Sequence, residues 1–129
     1  MFDILAIDWG SKRFGLAFGS SSNGIVLACN YDCFTDNIWQ VLDTEISERK
    51  VQKIIVGMPT TFDLQKTEIS LRVEDFVAVL KTNFPKLNIA EINERNSTKK
   101  ALLKNSNLKK HSLNHQSAVE ILESYFGES

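Results

Sequence analysis

The sequence has few residues that interrupt or cross-link a chain, since its 129 residues include two prolines, two cysteines and six glycines. No apolar run approaches the roughly 20 residues that cross a bilayer. Acidic residues bracket the short apolar run at the amino end, which predicts that no secretory signal peptide is present. A hydrophobic fraction of 43% argues against disorder. We expect a cytoplasmic protein without a membrane partner, folded as a single domain over residues 1–129.

Net charge is also nearly absent, because 15 basic residues are balanced by 16 acidic ones. A formal charge of −1 neither predicts nor excludes binding to nucleic acid. The distribution of charge says more, because basic residues gather at two places: Lys12-Arg13, and the group Lys99, Lys100, Lys104, Lys109, Lys110 and His111. Such a group either contacts phosphates or forms an ordinary solvated face.

Cys29 and Cys33 fall in a segment that reads as a β-strand. On a strand they would share one face and lie about 13 Å apart at roughly 3.3 Å per residue, too far for a disulfide. No group of cysteines and histidines with zinc-binding spacing accompanies them. We therefore expect both cysteines to be packing residues.

The hydrophobic pattern predicts three short strands followed by alternating helices and strands. The expected strands end near Asp8, Gly19, Tyr31, Gly57 and Ile92. Helices are predicted near 36–49, with Thr35 or Asp36 as cap, along the stripe Ile69, Val73, Phe76, Val77 and Leu80, from Ser97 or Thr98 to Leu103, and along Ala118, Ile121, Leu122 and Tyr125. This order predicts an α/β fold with a mixed five-stranded sheet, in which a three-stranded antiparallel meander joins two parallel strands and helices cover both faces.

Asp8 is the first candidate for chemistry because it is a single carboxylate at the end of a buried strand. Such a group usually has a metal ion, a cation or backbone N–H groups as its partner. Glu94 follows another strand, and Asn114-His115 begins the last helix. Ligands collect where such strand ends meet, so these residues suggest a Mg²⁺ or Mn²⁺ site. The alternatives are that Asp8 accepts turn N–H groups, that Glu94 pairs with Arg95, and that Asn114 only caps its helix.

Four stretches together resemble one protein family. Residues 8–15 read DWGSKRFG, residues 53–59 KIIVGMP, residues 93–98 NERNST and residues 114–126 NHQSAVEILESYF. In this order they resemble the D-x-G-x-K-R-x-G, strand-plus-G-x-P, D-E-R-x-[ST]-T and D-x-x-A-A-x-x-I-L-x-x-Y-L elements of the YqgF family, also called RuvX. That family comprises RNase H-like proteins associated with Holliday junction resolution and with maturation of the 5′ end of pre-16S rRNA.

The resemblance implies an RNase H-like fold in which Asp8 and Glu94 hold Mg²⁺ or Mn²⁺. Two family aspartates fall on Asn93 and Asn114, and each amide removes one negative charge from the site. His115 and His111 are candidates to compensate as a base or as a Mn²⁺ ligand, so we place Asp8, Glu94, Asn114 and His115 in the catalytic set. The alternative is that His111 ends a basic surface segment and that His115 faces solvent.

The resemblance implies a metal-dependent nuclease acting on pre-16S rRNA or, alternatively, on a four-way DNA junction. The residues expected to contact nucleic acid are Lys12, Arg13, Arg95, Thr98, Lys99, Lys100, Lys109 and Lys110. A second hypothesis is a homologue that binds nucleic acid without cleaving it. A third, based on the D-x-G turn alone, is an actin-like ATPase, for which one domain is too few. The pattern does not separate a monomer from a homodimer.

Overall fold

The computed structural model of the chain describes residues 2–59, 68–94 and 110–128, except for the side chains of 59, 93, 94, 110–114 and 128. Five strands form one sheet in the order β3-β2-β1-β4-β5. The strands are β1 (Ile4–Asp8), β2 (Gly15–Gly19), β3 (Val26–Ala28), β4 (Lys53–Pro59) and β5 (Asn88–Glu94). The helices are α1 (Ile38–Arg49), α2 (Glu68–Asn83) and α3 (Lys110–Glu128), and a 3-10 turn, Thr35–Asn37, precedes α1.

The sheet is mixed, as expected. Strand β2 pairs antiparallel with both β1 and β3, whereas β4 is parallel to β1 and to β5. The three-stranded meander and the two parallel strands predicted from the sequence are therefore confirmed. Parallel strands need long crossover connections, and α1 and α2 lie in the connections before β4 and β5.

Helices cover both faces of the sheet. On one face, α1 and α2 enclose a large apolar cluster that includes Leu42 and Leu80. On the other face, α3 packs Ala118, Ile121 and Leu122 against a smaller cluster. The predicted α/β architecture is confirmed, and no helix in the described ranges is apolar enough over a sufficient length to cross a bilayer.

Strand β2 shows how the sequence distinguishes the two faces. All five of its residues are buried, yet large and small residues alternate along it. Leu16 and Phe18 belong to the cluster under α1 and α2, whereas Ala17 belongs to the cluster under α3. A side chain on Gly19 would lie only 3.2 Å from the Phe126 ring. Small residues on one face therefore let α3 approach the sheet closely.

Several local predictions were wrong. The third strand ends at Ala28 and not at Tyr31. No side chain caps the turn before α1, because Thr35 instead donates its hydroxyl to the Gly10 carbonyl at 2.6 Å. Ile69, predicted to face the core, is 57% exposed, and the α2 stripe begins with Ser70 and Val73. The helix predicted from Ser97 or Thr98 to Leu103 lies outside the described residues.

Candidate active site at the carboxyl edge of the sheet

Asp8 is the last residue of β1 and is partly buried. The neighbouring strand β4 continues past it, since Ile7 is level with Val56. Strand β5 continues in the same direction and places Glu94 level with Pro59. The backbone therefore carries positions 8 and 94 to the same edge of the sheet. They are two strands apart, which is roughly 10 Å across the sheet at about 4.8 Å per strand, and position 94 lies two residues further along.

The amino end of α3 lies at this edge as well. The backbone N–H of Leu16 donates to Nδ1 of His115 at 3.0 Å, and Leu16 is level with Ile7 in β1. At the far end of α3, the Tyr125 hydroxyl accepts a hydrogen bond from Lys53 Nζ at 2.6 Å, and Lys53 begins β4. The helix thus runs away from Asp8, and its residue 114 lies one position before the anchored His115.

His115 is 1% exposed, so the alternative that it faces solvent was wrong. Its Nδ1 accepts the Leu16 N–H, which fixes the proton on Nε2. Nε2 therefore donates to the Tyr31 carbonyl oxygen at 2.7 Å. Both ring nitrogens are engaged, and His115 joins α3 to the sheet where β3 separates from β2.

The sequence did carry a signal for this burial. His115 shares helical spacing with Ala118 and Leu122, at i, i+3 and i+7. Both of those residues are fully buried. The same side of the helix thus places His115 against the sheet.

The turn after Asp8 is tight and carries basic side chains. A Cβ on Gly10 would lie 2.2 Å from the carbonyl oxygen of Arg13, so only glycine fits. The Lys12 carbonyl accepts the Thr35 N–H at 2.9 Å, which fastens the turn to the start of α1. Lys12 and Arg13 are exposed, and the Arg13 guanidinium lies 5.1 Å from the centre of the Phe34 ring.

Both tryptophans are partly buried at the rim of the large cluster, as expected for core or rim aromatics. Trp39 packs on Phe76 with ring centres 5.3 Å apart. Trp9, next to Asp8, packs against the same cluster. It is therefore a packing residue that borders the candidate site.

The prediction about the cysteine pair was wrong in its geometry. Because β3 ends at Ala28, Cys29 and Cys33 lie in a bend, and their sulfur atoms are 3.9 Å apart. Both are buried in the large cluster, so the expectation of packing residues is confirmed. A hydrogen bond from the Cys33 thiol lowers the pKa of Cys29 to about 7, although burial opposes this. The same contact raises the pKa of Cys33, and burial adds to that increase.

Most of the predicted nucleic-acid contacts lie beyond the described residues. Arg95, Thr98, Lys99, Lys100 and Lys109 fall in 95–109, which the structure does not describe. For Glu94, Lys110 and Asn114 the structure gives the backbone alone. Their roles therefore remain predictions, whereas Asp8, Lys12 and Arg13 are placed together at one edge.

Comparison with known proteins agrees with the resemblance seen in the sequence. The RuvX family profile, described as Holliday junction resolvase, matches residues 3–128. A Mycoplasmopsis synoviae (strain 53) protein named "Putative pre-16S rRNA nuclease" is 34% identical over 110 residues, covering 81% of this chain and 80% of that protein. A protein of the same name from Haemophilus influenzae (strain PittGG) is 32% identical over 130 residues, covering 95% and 93%.

A solved structure resembles the chain as well. It is described as T. thermophilus RuvC in complex with Holliday junction substrate and matches with a TM-score of 0.52 and 9% sequence identity. The match covers 98% of this chain and 96% of that one. At this identity the likeness concerns the fold alone, and it confirms the RNase H-like architecture.

Proposed function

Because the chain belongs to the RuvX family, we propose that it is a metal-dependent nuclease that processes the 5′ end of pre-16S rRNA. The observation that carries the proposal is the convergence on Asp8. The carboxyl ends of β1 and β5 and the anchored start of α3 come to one edge of the sheet. In parallel sheets such an edge is where ligands bind.

The alternation of side chains along β1 and β5 supports the same face of the sheet for positions 8 and 94. Ile4 and Ala6 of β1 pack on the α3 side of the sheet, and alternation predicts the same side for Asp8. Ala90 and Ile92 of β5 also pack on that side. Alternation then predicts the α3 side for position 94, close to the helix that carries position 114.

The residues at this edge suit a hard divalent cation. Asp8 and Glu94 offer carboxylate oxygens and Asn114 offers an amide oxygen, which are the ligand types that Mg²⁺ and Mn²⁺ take. A cation held there would lower the pKa of a bound water and stabilise the charge on the phosphate. The amides at 93 and 114 provide less negative charge than aspartates would, so we expect weak metal affinity.

We assign His115 a positioning role. Its two nitrogens already bind Leu16 and Tyr31, so neither is available as a base or as a metal ligand without breaking a buried hydrogen bond. In this arrangement His115 holds the start of α3 against β2. Position 114 is thereby kept at the edge where Asp8 lies.

Nucleic acid is the expected partner, and the turn that carries Lys12 and Arg13 supplies cations beside Asp8. Phosphate contacts of this kind provide affinity without reading sequence. We propose that Arg95, Thr98, Lys99, Lys100, Lys109 and Lys110 extend this surface along the strand. The names of the relatives favour pre-rRNA, and the description of the family favours a four-way junction. A monomer suffices for the first, whereas symmetric cleavage of a junction calls for a homodimer.

A second candidate is a protein that binds nucleic acid without cleaving it. It is favoured by one observation, the amides at 93 and 114 where the family has aspartates. This candidate predicts affinity that persists without a divalent ion. The two functions therefore differ in their dependence on metal.

Cleavage assays separate these functions. We would incubate a labelled RNA that carries the 16S leader, and a synthetic four-way junction, with Mg²⁺, with Mn²⁺ and with chelator. Asp8→Asn should abolish products while leaving the fold intact. Asp3→Asn is the matched control, because Asp3 precedes the opposite end of the same strand and binds Ser21.

The substrate that is cut decides between RNA and junction. Products that depend on metal and on Asp8 would establish the nuclease. Binding without cleavage, unchanged by chelator and by Asp8→Asn, would overturn the catalytic proposal in favour of the binding protein.

A further inference from the structure

Three side chains contact one backbone carbonyl oxygen, that of Tyr31. The Cys29 sulfur lies 3.6 Å from this oxygen and the Cys33 sulfur 3.7 Å from it. The His115 ring donates to the same oxygen from Nε2. The two sulfurs are also in contact with each other at 3.9 Å. The cluster formed by Cys29, Cys33 and His115 lies where β3 leaves the sheet, and the nuclease chemistry does not use its thiols.

A soft metal ion is one ligand that such a cluster suggests, because all three donor atoms lie within 4.8 Å of one another. The hydrogen bonds of His115 argue against it. A metal ion at Nε2 would move the ring proton to Nδ1, where it would face the N–H of Leu16. That buried N–H would then lose its hydrogen-bond acceptor. Metal at Nδ1 would displace that N–H directly. Two thiolates alone fall short of the four ligands of a structural zinc site.

We propose instead that Cys29 and Cys33 are a redox-active dithiol that a low-molecular-weight disulfide converts into an intramolecular disulfide. The sulfurs need to approach from 3.9 Å to about 2.05 Å. The two cysteines are four positions apart in a bend, and no rearrangement of the sheet is required. The proposal is independent of the nuclease function.

The two thiols differ in a way that assigns their roles. The Cys33 thiol donates toward Cys29, so Cys29 carries thiolate character near neutral pH, with a pKa of about 7. Cys29 is also the more exposed of the two, at 6% against 2%. Thiolates are the attacking species in exchange. Cys29 is therefore the nucleophile and Cys33 the resolving thiol.

The reaction balances as thiol–disulfide exchange. The Cys29 thiolate attacks one sulfur of the external disulfide, forming a mixed disulfide and releasing one external thiolate. The Cys33 thiolate then attacks the Cys29 sulfur and releases the second external thiolate. In total, the two protein thiols lose two electrons and two protons, and the external disulfide becomes two thiols.

Access to the buried pair comes through the edge of the sheet. Strand β3 has three residues and lies at the edge. Leu27 within this strand is 45% exposed, and Tyr31 after it is 41% exposed. Short edge elements with exposed side chains open locally at low free-energy cost. Opening at Cys29 breaks the backbone hydrogen bond from its N–H to the Leu16 carbonyl oxygen.

Oxidation would change which hydrogen bonds the Tyr31 carbonyl oxygen accepts. This oxygen loses its contacts with the cysteine thiols while keeping the N–H of His115, so the His115 bond becomes its main interaction. We therefore expect the His115 ring to report the oxidation state of the pair. The chain has two histidines, so His111 provides an internal reference signal.

The experiment treats the whole chain with oxidised glutathione and then with dithiothreitol. Since the chain has two cysteines, thiol titration after denaturation should fall from two to none, with a mass loss of about 2 Da and recovery on reduction. The histidine ring NMR signal of His115 should shift, and that of His111 should stay. Cys33→Ser is the control, and we expect it to stop at a stable mixed disulfide.

Three results would overturn the proposal. The first is a count of two unreacted thiols after oxidant treatment, and the second is a product that runs as a disulfide-linked dimer on a non-reducing gel. The third is one equivalent of Zn²⁺ bound by the reduced protein that keeps both thiols from oxidation, which would restore the metal site. An unchanged His115 signal after intramolecular oxidation would refute the link to α3.

Discussion

The two faces of the sheet are built from different side chains. Under α1 and α2 lie large residues such as Phe14, Phe18 and Leu42, in an extensive cluster. Under α3 lie small ones, notably Ala6 and Ala17, in a cluster less than half that size. Free energy from burial scales with apolar area, so the first face supplies most of the stability. The second face lets one helix lie close, with its amino end beside Asp8.

Leu42→Ala tests the first half of this comparison. Leu42 is fully buried in the large cluster, and its truncation leaves a cavity that should cost about 2–5 kcal/mol of unfolding free energy. Cleavage per folded molecule should be unchanged, because α3 and Asp8 are on the other face. Urea denaturation monitored by tryptophan fluorescence measures the loss. A change in cleavage as large as that in stability would contradict the separation of the faces.

Ala6→Leu tests the second half. Ala6 is fully buried under α3, and the added methylenes should cost about 1–3 kcal/mol through overpacking. Since this pushes α3 away from the sheet, cleavage should fall more than it does in Leu42→Ala, although less stability is lost. Denaturation of both variants shows which one loses more stability, and cleavage assays show which one loses more activity. Equal cleavage in the two variants would show that the α3 spacing does not matter.

Asn114→Asp should strengthen the candidate site. Restoring a carboxylate adds one negative charge at the start of α3, and we expect the Mn²⁺ concentration for half-maximal cleavage to fall by roughly tenfold. Asn114→Ala is the matched variant and should raise that concentration. Metal titrations of cleavage measure both. Because α3 begins at Lys110, the alternative that Asn114 caps this helix was wrong. If both variants match the wild type, residue 114 takes no part in metal binding.

Asp3→Asn should have the smallest effect, on stability at acid pH. Hydrogen bonds from the Ser21 hydroxyl and then from its N–H lower the pKa of Asp3 below 3.8. Because this pKa is lower in the folded protein than in the unfolded chain, the ionised carboxylate adds stability at pH values above the pKa of the unfolded chain. This stability disappears as the pH falls through the pKa of the folded protein. Between about pH 5 and pH 2 the wild type should therefore lose slightly more stability than the variant. Denaturation at several pH values measures this, and identical acid profiles would contradict it.

The sequence was most predictive where a residue's periodicity and its burial agree. Strand β1, with its apolar run ending in Asp8, and the alternation of large and small residues in β2 both led to the observed sheet. Ile69 shows the limit, because an apolar residue at helical spacing lies at the start of α2 where the core does not reach. The ends of helices and strands depend on how far the core extends, and a local sequence pattern does not contain that information.

The cysteines and His115 show a second limit. Their positions depend on where β3 leaves the sheet, and the alternation of the sequence continues past that point to Tyr31. Once the strand ends at Ala28, Cys29 and Cys33 approach each other, and Leu16 needs another acceptor. His115 provides it from a helix 99 positions away in the chain, a distance that local patterns do not span.

The most direct test of the account uses Mn²⁺ as a paramagnetic probe in NMR of the whole chain. A cation held by Asp8 should broaden the backbone amide signals of Trp9 and Gly57, at the carboxyl edge. It should broaden those of Gly19 and Lys53 less, because these residues lie about 13 Å further along the strands. Asp8→Asn should remove the broadening, whereas Asp3→Asn should keep it. Broadening centred elsewhere, or unchanged in Asp8→Asn, would contradict a metal-dependent site at this edge.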